Sequence, residues 1–565
     1  MVAPGAYPTD QGQPPKASGA TPQTAPKPFT RRQRRRTIGH MTTTLNGGSQ
    51  PTTNVSSILS RSAADLPTKV AIIAGDQELD YASLDTFARM FAGALGDLGV
   101  APGEHVALVL PNVPQFSVAY FGCHYAGNPV VPLNVQLTAD ELAYHLADSE
   151  SVAVVTWDLF LPAVSEAAAR TAGVRHILVA KADLADLSAP EGVVNLTAAV
   201  ATATPVEHAH PTTAGDTAVV LYTSGTTGRA KGAELTHANL LANAQVPRKL
   251  VGLGADTVAL VALPLFHAFG MTVMHNAVLA VGGTLVLQPR FSPGGAAELI
   301  ERHRVTFFGG VPTMYMALLD DGATAGRDLD TLRWCVSGGA PLPSAVLGAF
   351  EERFGVCLLE GYGLSETSPV ASFTVPDRSR TPGSIGYPVP GVELALVDDE
   401  GGFVTTPGAR GEICVRGDNV MKGYWRNPDA TAEAIVDGWF RTGDIGVFDV
   451  DGAYRIVDRK KDLIIRGGYN VYPREIEELL HRHPGIAQAA VVGVPDARYG
   501  EEVMAVVVLK PGVTDSPKDI LAWCGTRLAG YKRPHIVEVR ESLPLGPTGK
   551  VLKHALRAAG RSQAA

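Results

Sequence analysis

Apolar runs of strand length alternate with helix-like segments through most of the chain. Residues 106–110, 130–134 and 152–156 are runs of this kind, and residues 112–122 have the spacing of a helix between two of them. The alternation continues as far as Glu360, and its elements include a predicted helix over 270–281 and a predicted strand over 305–308. It predicts parallel sheets covered by helices on both faces, with ligands bound at the carboxyl ends of the strands. The sequence therefore predicts an α/β fold with doubly wound sheets.

Two later changes of pattern predict further domains. Between residues 383 and 456, short strands alternate with Gly and Asp turns, which predicts a small antiparallel, barrel-like section at the end of a large domain over 51–457. Residues 458–462 form a charged break, Asp-Arg-Lys-Lys-Asp. The α+β pattern after it, which includes a predicted helix over 473–481 and a predicted strand over 536–539, predicts a small C-terminal domain over 463–565. A chain of 565 residues is also too long for one ordinary core.

The first 50 residues have the composition of a disordered tail. They are rich in Pro, Thr, Gln and Ala and contain a basic cluster from Arg31 to Arg36. Anchoring to anionic lipid is the alternative role for that cluster. The polar residues 37–44 argue against a secretory or twin-arginine signal. Met41 is an alternative to Met1 as the native start, and intact mass of the protein from its own cell would decide between them.

Composition narrows the classes of function. The net charge of −8 argues against nucleic acid as the main partner. The five cysteines contain no C-x-x-C pair, which predicts reduced, mostly buried thiols in a cytoplasmic protein. No apolar run reaches the roughly 18 residues that a membrane helix needs, so we expect no integral membrane segment and at most peripheral contact with a membrane.

Residues 222–232, Tyr-Thr-Ser-Gly-Thr-Thr-Gly-Arg-Ala-Lys-Gly, carry the first chemical signal, and they follow the apolar run 218–221. The glycines let several backbone N–H groups point at one anion, the hydroxyls add donors, and Lys231 adds a positive charge. This is the chemistry of a polyphosphate cradle, although its spacing differs from the Walker pattern. A flexible surface loop is the alternative interpretation of such a cluster.

This segment resembles the signature of the adenylate-forming superfamily, which includes acyl- and aryl-CoA ligases. The resemblance extends over about residues 50 to 555, in the family's motif order. It implies that ATP, with magnesium, activates a carboxylic acid as an acyl-adenylate, and that coenzyme A then receives the acyl group. It also implies that 458–462 is a hinge. Within the loop, it assigns ATP binding to Thr223, Ser224, Gly225, Thr226, Thr227, Gly228 and Lys231.

Three more segments resemble parts of the family's nucleotide site, at residues 337–342, 359–367 and 439–444. The first two each follow a predicted buried strand, as a site at the strand ends requires. The ATP-binding residues that the resemblance assigns there, and at the charged break, are Gly339, Ala340, Pro341, Glu360, Gly361, Tyr362, Gly363, Ser365, Asp444 and Arg459.

Some of these residues have specific implied roles. Tyr362 offers an aromatic face for the base, and Asp444 has two oxygens that can accept from both ribose hydroxyls. Glu366 is implied as a catalytic residue that binds magnesium through its carboxylate. Ser365 stands where the family usually has threonine, and it keeps the hydroxyl. A surface salt bridge is the alternative role for Asp444 and Arg459.

The small domain carries two implied functions. Residues 544–550, Pro-Leu-Gly-Pro-Thr-Gly-Lys, resemble the family's catalytic-lysine loop, in which Lys550 stabilises charge on the α-phosphate. After rotation about the hinge, Arg466, Gly467 and Gly468 are implied to line the channel for coenzyme A, where glycines leave the path open.

The acyl site is implied around residues 264–270, Pro-Leu-Phe-His-Ala-Phe-Gly. By resemblance His267 is catalytic and borders the acyl carboxylate, whereas a lone histidine among aromatics is otherwise usually a packed core residue. Peptide-synthetase domains of the superfamily place an aspartate just after the aromatic residue here to hold an amine. This chain has no acidic residue there, so the resemblance argues against an amino-acid substrate. The predicted acyl pocket consists of Phe269, Met271, Met274, Gly310 and Val311.

Residues 361–369 and 459–468 resemble the bacterial fatty-acyl-CoA ligases more than plant-type aryl ligases. The resemblance therefore implies a fatty acid–CoA ligase that acts on medium to long chains. An aryl-CoA ligase of the 4-coumarate type is one alternative, because an aromatic acid would also fit an apolar pocket. A fatty-acyl-AMP ligase that loads a carrier protein is the second, although no inserted segment typical of that group is evident. A non-catalytic nucleotide-binding regulator is the third.

Overall fold

A computed structural model of the chain describes residues 53–223, 229–319, 321–378, 380–381, 383–496, 498–546 and 551–564. The predicted tail over 1–50, the loop residues 224–228 and Lys550 lie outside the described residues. Among the described residues, no helix combines the length and the apolar character that crossing a membrane requires.

Helices make up much of the large domain, and several begin at residues that cap them. Thr236 accepts from the N–H of Asn239 at 3.1 Å, while the Asn239 side chain accepts from the N–H of Thr236 at 2.8 Å, so that the helix His237–Ala244 starts directly after a strand. The described α-helices are α1 (Ser57–Asp65), α2 (Tyr81–Asp97), α3 (Pro114–Ala126), α4 (Ala139–Asp148), α5 (Leu161–Ala169), α6 (Leu196–Thr202), α7 (His237–Ala244), α8 (Val246–Val251), α9 (Ala277–Ala280), α10 (Pro293–His303), α11 (Pro312–Leu319), α12 (Asp321–Thr324), α13 (Ser344–Phe354), α14 (Pro428–Ala434), α15 (Pro473–His481), α16 (Pro517–Gly525) and α17 (Lys553–Ala564).

The described strands alternate with these helices up to residue 363. They are β1 (Val70–Ala74), β2 (Gln77–Asp80), β3 (His105–Val109), β4 (Val130–Pro132), β5 (Ser151–Trp157), β6 (His176–Ala180), β7 (Val193–Asn195), β8 (Thr217–Thr223), β9 (Lys231–Thr236), β10 (Val258–Val261), β11 (Thr284–Leu287), β12 (Phe307–Gly310), β13 (Trp334–Ser337), β14 (Cys357–Gly363), β15 (Val370–Phe373), β16 (Ser384–Pro388), β17 (Val392–Val397), β18 (Gly411–Gly417), β19 (Gly423–Tyr424), β20 (Ile435–Val436), β21 (Trp439–Phe448), β22 (Tyr454–Arg459), β23 (Ile464–Arg466), β24 (Tyr469–Val471), β25 (Ile486–Asp496), β26 (Gly500–Leu509) and β27 (Ile536–Val539).

Two large sheets form the frame of the large domain. An 8-stranded sheet has the order β19-β9-β8-β4-β3-β5-β6-β7, and its strands β3 to β8 run parallel. A 14-stranded sheet contains a parallel part, β14-β13-β12-β10-β11-β1. Both sheets carry helices on both faces, because one apolar core joins them and separate cores lie on their outer faces. The predicted doubly wound α/β fold is confirmed.

The antiparallel section predicted between residues 383 and 456 continues the larger sheet. Strands β15, β16, β22, β21, β18 and β17 extend its edge in antiparallel pairs. Within the described part of the chain these strands remain an open extension and do not close into a barrel. Pairing with β14 explains this, since the section adds to an existing sheet edge instead of curling on itself.

The C-terminal residues form a separate 5-stranded sheet in which β23, β24, β25 and β26 are antiparallel and β27 is parallel to β26. Apolar side chains of α15 and α16 pack on one face, and Leu556 of α17 packs on the other. This is the α+β unit that the sequence predicts.

The predicted helix over 270–281 differs in kind from the observed structure. Phe269–Asn276 is a π-helix, which passes into α9. At its start, a Cβ atom on Gly270 would lie 2.1 Å from the carbonyl oxygen of Pro264, so only glycine fits there. π-Helical turns are frequent at functional sites, and this one borders the cleft described next.

Candidate active site

A cleft of about 990 Å³ opens at the carboxyl ends of β12, β13 and β14, beside the hairpin of β8 and β9. Its position agrees with the rule that ligands of doubly wound sheets bind at the ends of the strands. Twelve of the residues assigned from the sequence line it: Thr223, Lys231, His267, Phe269, Val311, Gly339, Gly361, Tyr362, Gly363, Ser365, Glu366 and Arg459.

Other assigned residues lie elsewhere in the described structure. Asp444 is buried directly behind the cleft wall, and Met271 and Met274 are fully buried in the π-helix. The assigned residues that do not line the cleft are Ala340, Pro341, Glu360, Asp444, Met271, Met274, Gly310, Arg466, Gly467 and Gly468.

The charged end of the cleft contains Lys231, Glu366 and an aromatic residue that sequence reasoning missed, Tyr424. Lys231 lies opposite Thr223 in the hairpin, at the point where the glycine-rich loop rejoins the sheet. Its Nζ lies 5.1 Å from the ring centroid of Tyr424, and the Tyr424 hydroxyl donates to Oε1 of Glu366 at 3.0 Å. A cation and a carboxylate are thus held by one side chain at the mouth of the predicted phosphate loop.

Glu366 suits magnesium. It is 9% exposed, lines the cleft and keeps free acceptor positions beyond its bond with Tyr424. The described residues contain no group of three or more His, Cys, Asp or Glu side chains that could hold a metal ion. Magnesium commonly takes one or two carboxylates from the protein and the remaining ligands from phosphate and water, so a single carboxylate fits.

Asp444 forms the centre of a buried polar cluster. Tyr362 donates from its hydroxyl to Oδ2 of Asp444 at 2.7 Å, and Nε of Arg459 lies 3.0 Å from Oδ1. Asp444 and Arg459 are direct neighbours across β21 and β22. Next to Tyr362, the backbone segments of Gly363 and Pro369 lie close together, since a Cβ atom on Gly363 would lie 1.6 Å from the carbonyl oxygen of Pro369. Three assigned residues from separate segments therefore meet at one corner of the cleft.

Glu360 faces away from the cleft. Burial raises its pKa to about 7, and nearby Arg474 of the C-terminal unit opposes part of that rise. Along β14, Glu360 alternates with Leu359 and Gly361, which pack on the cleft side of the sheet. A period of two in the sequence does not by itself assign this face, because Tyr362, two residues after Glu360, lines the cleft.

The apolar end of the cleft is formed by side chains near the ends of β13 and β14: Phe269 and Phe373 lie 3.1 Å from the positions of a Cβ atom on Gly338 and on Gly361. His267 also lines the cleft, and its ring nitrogen Nδ1 accepts from the N–H of Phe269 at 3.3 Å. Met274 packs over the strand: a Cβ atom on Gly309 would lie 2.4 Å from the Met274 sulfur. Val273, Val336, Val370 and Phe373 are among the further apolar residues that line the cleft and were not predicted.

Residues of the charged break also border the cleft. Lys460 and Lys461 line it together with Arg459, although the sequence analysis assigned only the arginine. Gly546 and Leu552, which flank the segment that contains Lys550, line it as well. Leu545 and Val551 form an antiparallel bridge, so the described ends of this loop are held together beside the cleft.

The residues assigned to coenzyme A lie in the small sheet. Arg466 forms a two-pronged ion pair with Glu502, at 2.6 and 2.8 Å, and its guanidinium lies 4.2 Å from the Tyr499 ring centroid. Gly467 and Gly468 are exposed and have φ values of +57° and +84°, which favour glycine.

A doubly wound α/β domain with a large cleft lined by both charged and apolar side chains is suited to an enzyme that activates an acid with a nucleotide. Comparison with known families agrees. The AMP-binding enzyme model matches residues 59–425, and the model of the AMP-binding enzyme C-terminal domain matches residues 475–550. The chain belongs to the AMP-binding enzyme family. It is an AMP-forming acid–thiol ligase, which uses ATP, magnesium and coenzyme A.

Individual relatives resemble the chain over most of its length. The long-chain-fatty-acid–CoA ligase of Bacillus subtilis is 38% identical over 531 residues, covering 90% of this chain and 94% of the relative. A feruloyl-CoA synthase of an Amycolatopsis species is 40% identical over 502 residues, covering 88% and 97%. The crystal structure of ATP-bound MatB from Rhodopseudomonas palustris superposes with a TM-score of 0.83 at 34% identity, covering 90% of this chain and 99% of MatB.

The prediction that the cysteines are free and mostly buried is also confirmed for the described chain. All five cysteines are free thiols, and four of them are buried. Burial raises the pKa of the Cys414 and Cys524 thiols to about 11, so these side chains are protonated at neutral pH.

Proposed function

We propose that this enzyme converts medium- to long-chain fatty acids into their coenzyme A thioesters. The observation that carries this substrate class is the polarity of the cleft. The cleft is lined by charged side chains, including Lys231, Glu366 and Arg459, and by apolar ones, including Phe269 and Val311. An acid whose carboxylate lies near His267 would place its tail among the apolar side chains, where burial of each methylene contributes about 0.8 kcal/mol.

In the first half-reaction, we assign the binding of the ATP phosphates to the loop 222–232 and Lys231. Asp444, held by Tyr362 and Arg459, has acceptor positions left for the ribose hydroxyls. A carboxylate oxygen of the fatty acid attacks the α-phosphorus, and pyrophosphate leaves. Lys550 is assigned the stabilisation of charge at the α-phosphate. Glu366 would hold magnesium, whose charge would offset that of the phosphates.

In the second half-reaction, the sulfur of coenzyme A attacks the acyl carbon, and AMP leaves with the bonding electrons. We assign to residues 458–462 the hinge that removes Lys550 and brings in Arg466, Gly467 and Gly468. Two observations are consistent with a position of the C-terminal domain that serves the first half-reaction. Gly546 and Leu552 border the cleft, and the three residues assigned to coenzyme A do not.

An aryl acid is the second candidate substrate, and the 40% identity to a feruloyl-CoA synthase favours it. The apolar end of the cleft contains Phe269 and Phe373, which could pack against an aromatic ring. The two candidates share the whole mechanism and differ only in the occupant of the apolar end.

A panel of acids tests the proposal. AMP and thioester are measured with straight-chain acids of increasing length and with benzoate- and cinnamate-type acids at equal concentration. The proposed function predicts a maximum of kcat/KM among medium to long alkyl chains. A maximum among the aromatic acids would replace it with the aryl candidate. Pyrophosphate release without thioester for any acid would indicate transfer to a carrier protein and would overturn the assignment of Gly467 and Gly468.

We also propose that the enzyme works in the cytoplasm and contacts membranes only peripherally. Its free, mostly buried thiols are typical of a reducing compartment. Fractionation of the source cells, with the enzyme followed by its activity, tests this location. Recovery with the membrane fraction after a high-salt wash would contradict it.

A further inference from the structure

A short strand after the antiparallel section crosses to the phosphate end of the cleft. Strand β19 pairs with β9 so that Tyr424 lies opposite Ala233, immediately after the end of the glycine-rich hairpin. The N–H of Trp425 donates to the carbonyl of Gly232 at 2.7 Å, which continues the pairing toward Lys231. The segment is therefore fixed to the strand that carries Lys231.

The same segment is fixed to the backbone of Glu366. The N–H of Met421 donates to the Glu366 carbonyl at 2.8 Å. On the far side, Nε1 of Trp425 donates to the carbonyl of Asp148 at 3.1 Å, and its ring lies 4.5 Å from that of His105. Backbone and neighbours thus hold Tyr424 between two segments that are more than a hundred residues apart in sequence.

The side chain of Tyr424 contacts one charged group with its ring and another with its hydroxyl. Its aromatic face lies 5.1 Å from the Lys231 ammonium, and its hydroxyl donates to the Glu366 carboxylate at 3.0 Å. Among the ion pairs of the described residues, none joins Lys231 to Glu366 or to another carboxylate. One side chain therefore contacts both charged groups, the cation through its ring and the carboxylate through its hydroxyl.

We infer that Tyr424 is a positioning residue for the adenylation step. It keeps the ammonium and the carboxylate apart and oriented, so that Lys231 remains available to phosphate and Glu366 to magnesium. A face-on ring attracts a cation without neutralising it, and a hydroxyl donor fixes the rotamer of a carboxylate while leaving its other acceptor positions open. This inference rests on the roles proposed above for Lys231 and Glu366.

Two substitutions separate the parts of the side chain. Tyr424→Phe keeps the ring and removes the donor to Glu366, whereas Tyr424→Leu removes both. Tyr454→Phe is the matched control, because Tyr454 is also half-buried and donates a hydroxyl bond of 2.7 Å, to the Leu394 carbonyl, but does not line the cleft. Circular dichroism and melting temperature verify folding of each variant.

The main measurement is calorimetric binding of ATP at a series of magnesium concentrations and in EDTA, without acid or coenzyme A. For Tyr424→Phe we expect wild-type affinity for ATP in EDTA. The magnesium concentration that half-maximally enhances ATP binding should rise about tenfold, because the loss of one hydrogen bond to a charged group has an effect of about this size. For Tyr424→Leu we expect ATP affinity in EDTA to fall as well, by about threefold or more. Both variants should convert supplied acyl-adenylate to thioester at the wild-type rate.

Glu366→Gln distinguishes failure of this inference from failure of the proposed function. A shifted magnesium requirement in Glu366→Gln with an unshifted one in Tyr424→Phe would overturn the role of Tyr424 alone. An unshifted requirement in both would overturn the role of Glu366 and this inference with it. Equal shifts of the magnesium requirement in Tyr424→Phe and Tyr454→Phe would show that the shift reflects a general loss of stability, and would also reject the inference.

Discussion

Tyr362 donates a hydrogen bond of 2.7 Å to Asp444 across 82 positions of sequence, and both side chains are buried. Arg459 holds the other carboxylate oxygen at 3.0 Å. The carboxylate is thus fixed from two sides, and each oxygen still has an acceptor position. A rigid, charged acceptor at the edge of a nucleotide site is the kind of group that can select a ribose.

Substitution of Asp444 by asparagine tests that role. The amide has the same shape but replaces one acceptor with a donor and leaves Arg459 without its counter-charge. We expect KM for ATP in pyrophosphate exchange to rise about tenfold or more, as for the loss of a hydrogen bond to a charged group. Asp449→Asn is the control, since Asp449 pairs with Arg455 at 3.0 Å outside the cleft. Equal KM values in the two variants would reject the ribose role.

Lys550→Ala should separate the two half-reactions. Loss of the ammonium should lower pyrophosphate exchange at least about a hundredfold, as removal of a group that stabilises transition-state charge does in other enzymes. Conversion of supplied acyl-adenylate and coenzyme A to thioester should remain near the wild-type rate. Lys510→Ala, at an exposed lysine of the same domain, is the control. Equal loss of both half-reactions in Lys550→Ala would contradict the assigned hinge mechanism.

Gly468→Ala should affect only the second half-reaction. Gly468 has a φ of +84° with no atom within 4 Å of an added Cβ, and Gly512 has a φ of +79° with equally open space. Alanine at either position carries a similar backbone cost, about 1–2 kcal/mol. Only Gly468→Ala should raise KM for coenzyme A, because only Gly468 is assigned to its channel. Similar kinetics in both variants would leave the channel assignment without support.

A series at Val311 should move the preferred length of the acid. Val311 is nearly buried and lines the cleft, 3.6 Å from the position of a Cβ on Gly339. Phenylalanine should shift the optimum of kcat/KM to shorter acids and alanine to longer ones, since each changes the space at the apolar end. The larger side chain should also lower stability by about 1–3 kcal/mol. An optimum that is the same in all three proteins would place the acyl chain elsewhere.

Glu360 should make stability depend on pH. Burial raises its pKa from the ordinary value of 4.5 to about 7. Because the folded chain binds this proton more tightly than the unfolded chain, the contribution to stability is complete below pH 4.5 and is lost as the pH rises through about 7. Glu360→Gln should flatten this decline in the free energy of unfolding. In the wild type the decline due to Glu360 amounts to at most about 3 kcal/mol.

Melting temperatures from about pH 5 to pH 8 measure the effect of that substitution. Glu352→Gln, at an exposed glutamate of α13, is the control and should melt in parallel with the wild type at every pH. A wild-type melting temperature that stays level through pH 7, or that declines equally in Glu360→Gln, would contradict the prediction.

Local patterns predicted much of the secondary structure. The helix Pro473–His481 and the strand Ile536–Val539 have the predicted bounds, because a proline at the first helical turn and a β-branched run are signals that need no tertiary contact. The strand predicted over 305–308 is shifted instead to Phe307–Gly310. There, two glycines are held in the sheet by parallel pairing with Val336 and Ser337, a contact that local propensity does not contain.

By itself, the sequence determined the class of fold, the family and the segments that border the cleft, since these follow from short patterns whose chemistry is local. Only the tertiary structure decided which side chains face the cleft. It turned Glu360 to the far side of β14 and brought Tyr424, Lys460 and Lys461 to the cleft. It also joined Tyr362 to Asp444. Side-chain direction depends on strand pairing and packing between distant segments, and those energies belong to the folded chain as a whole.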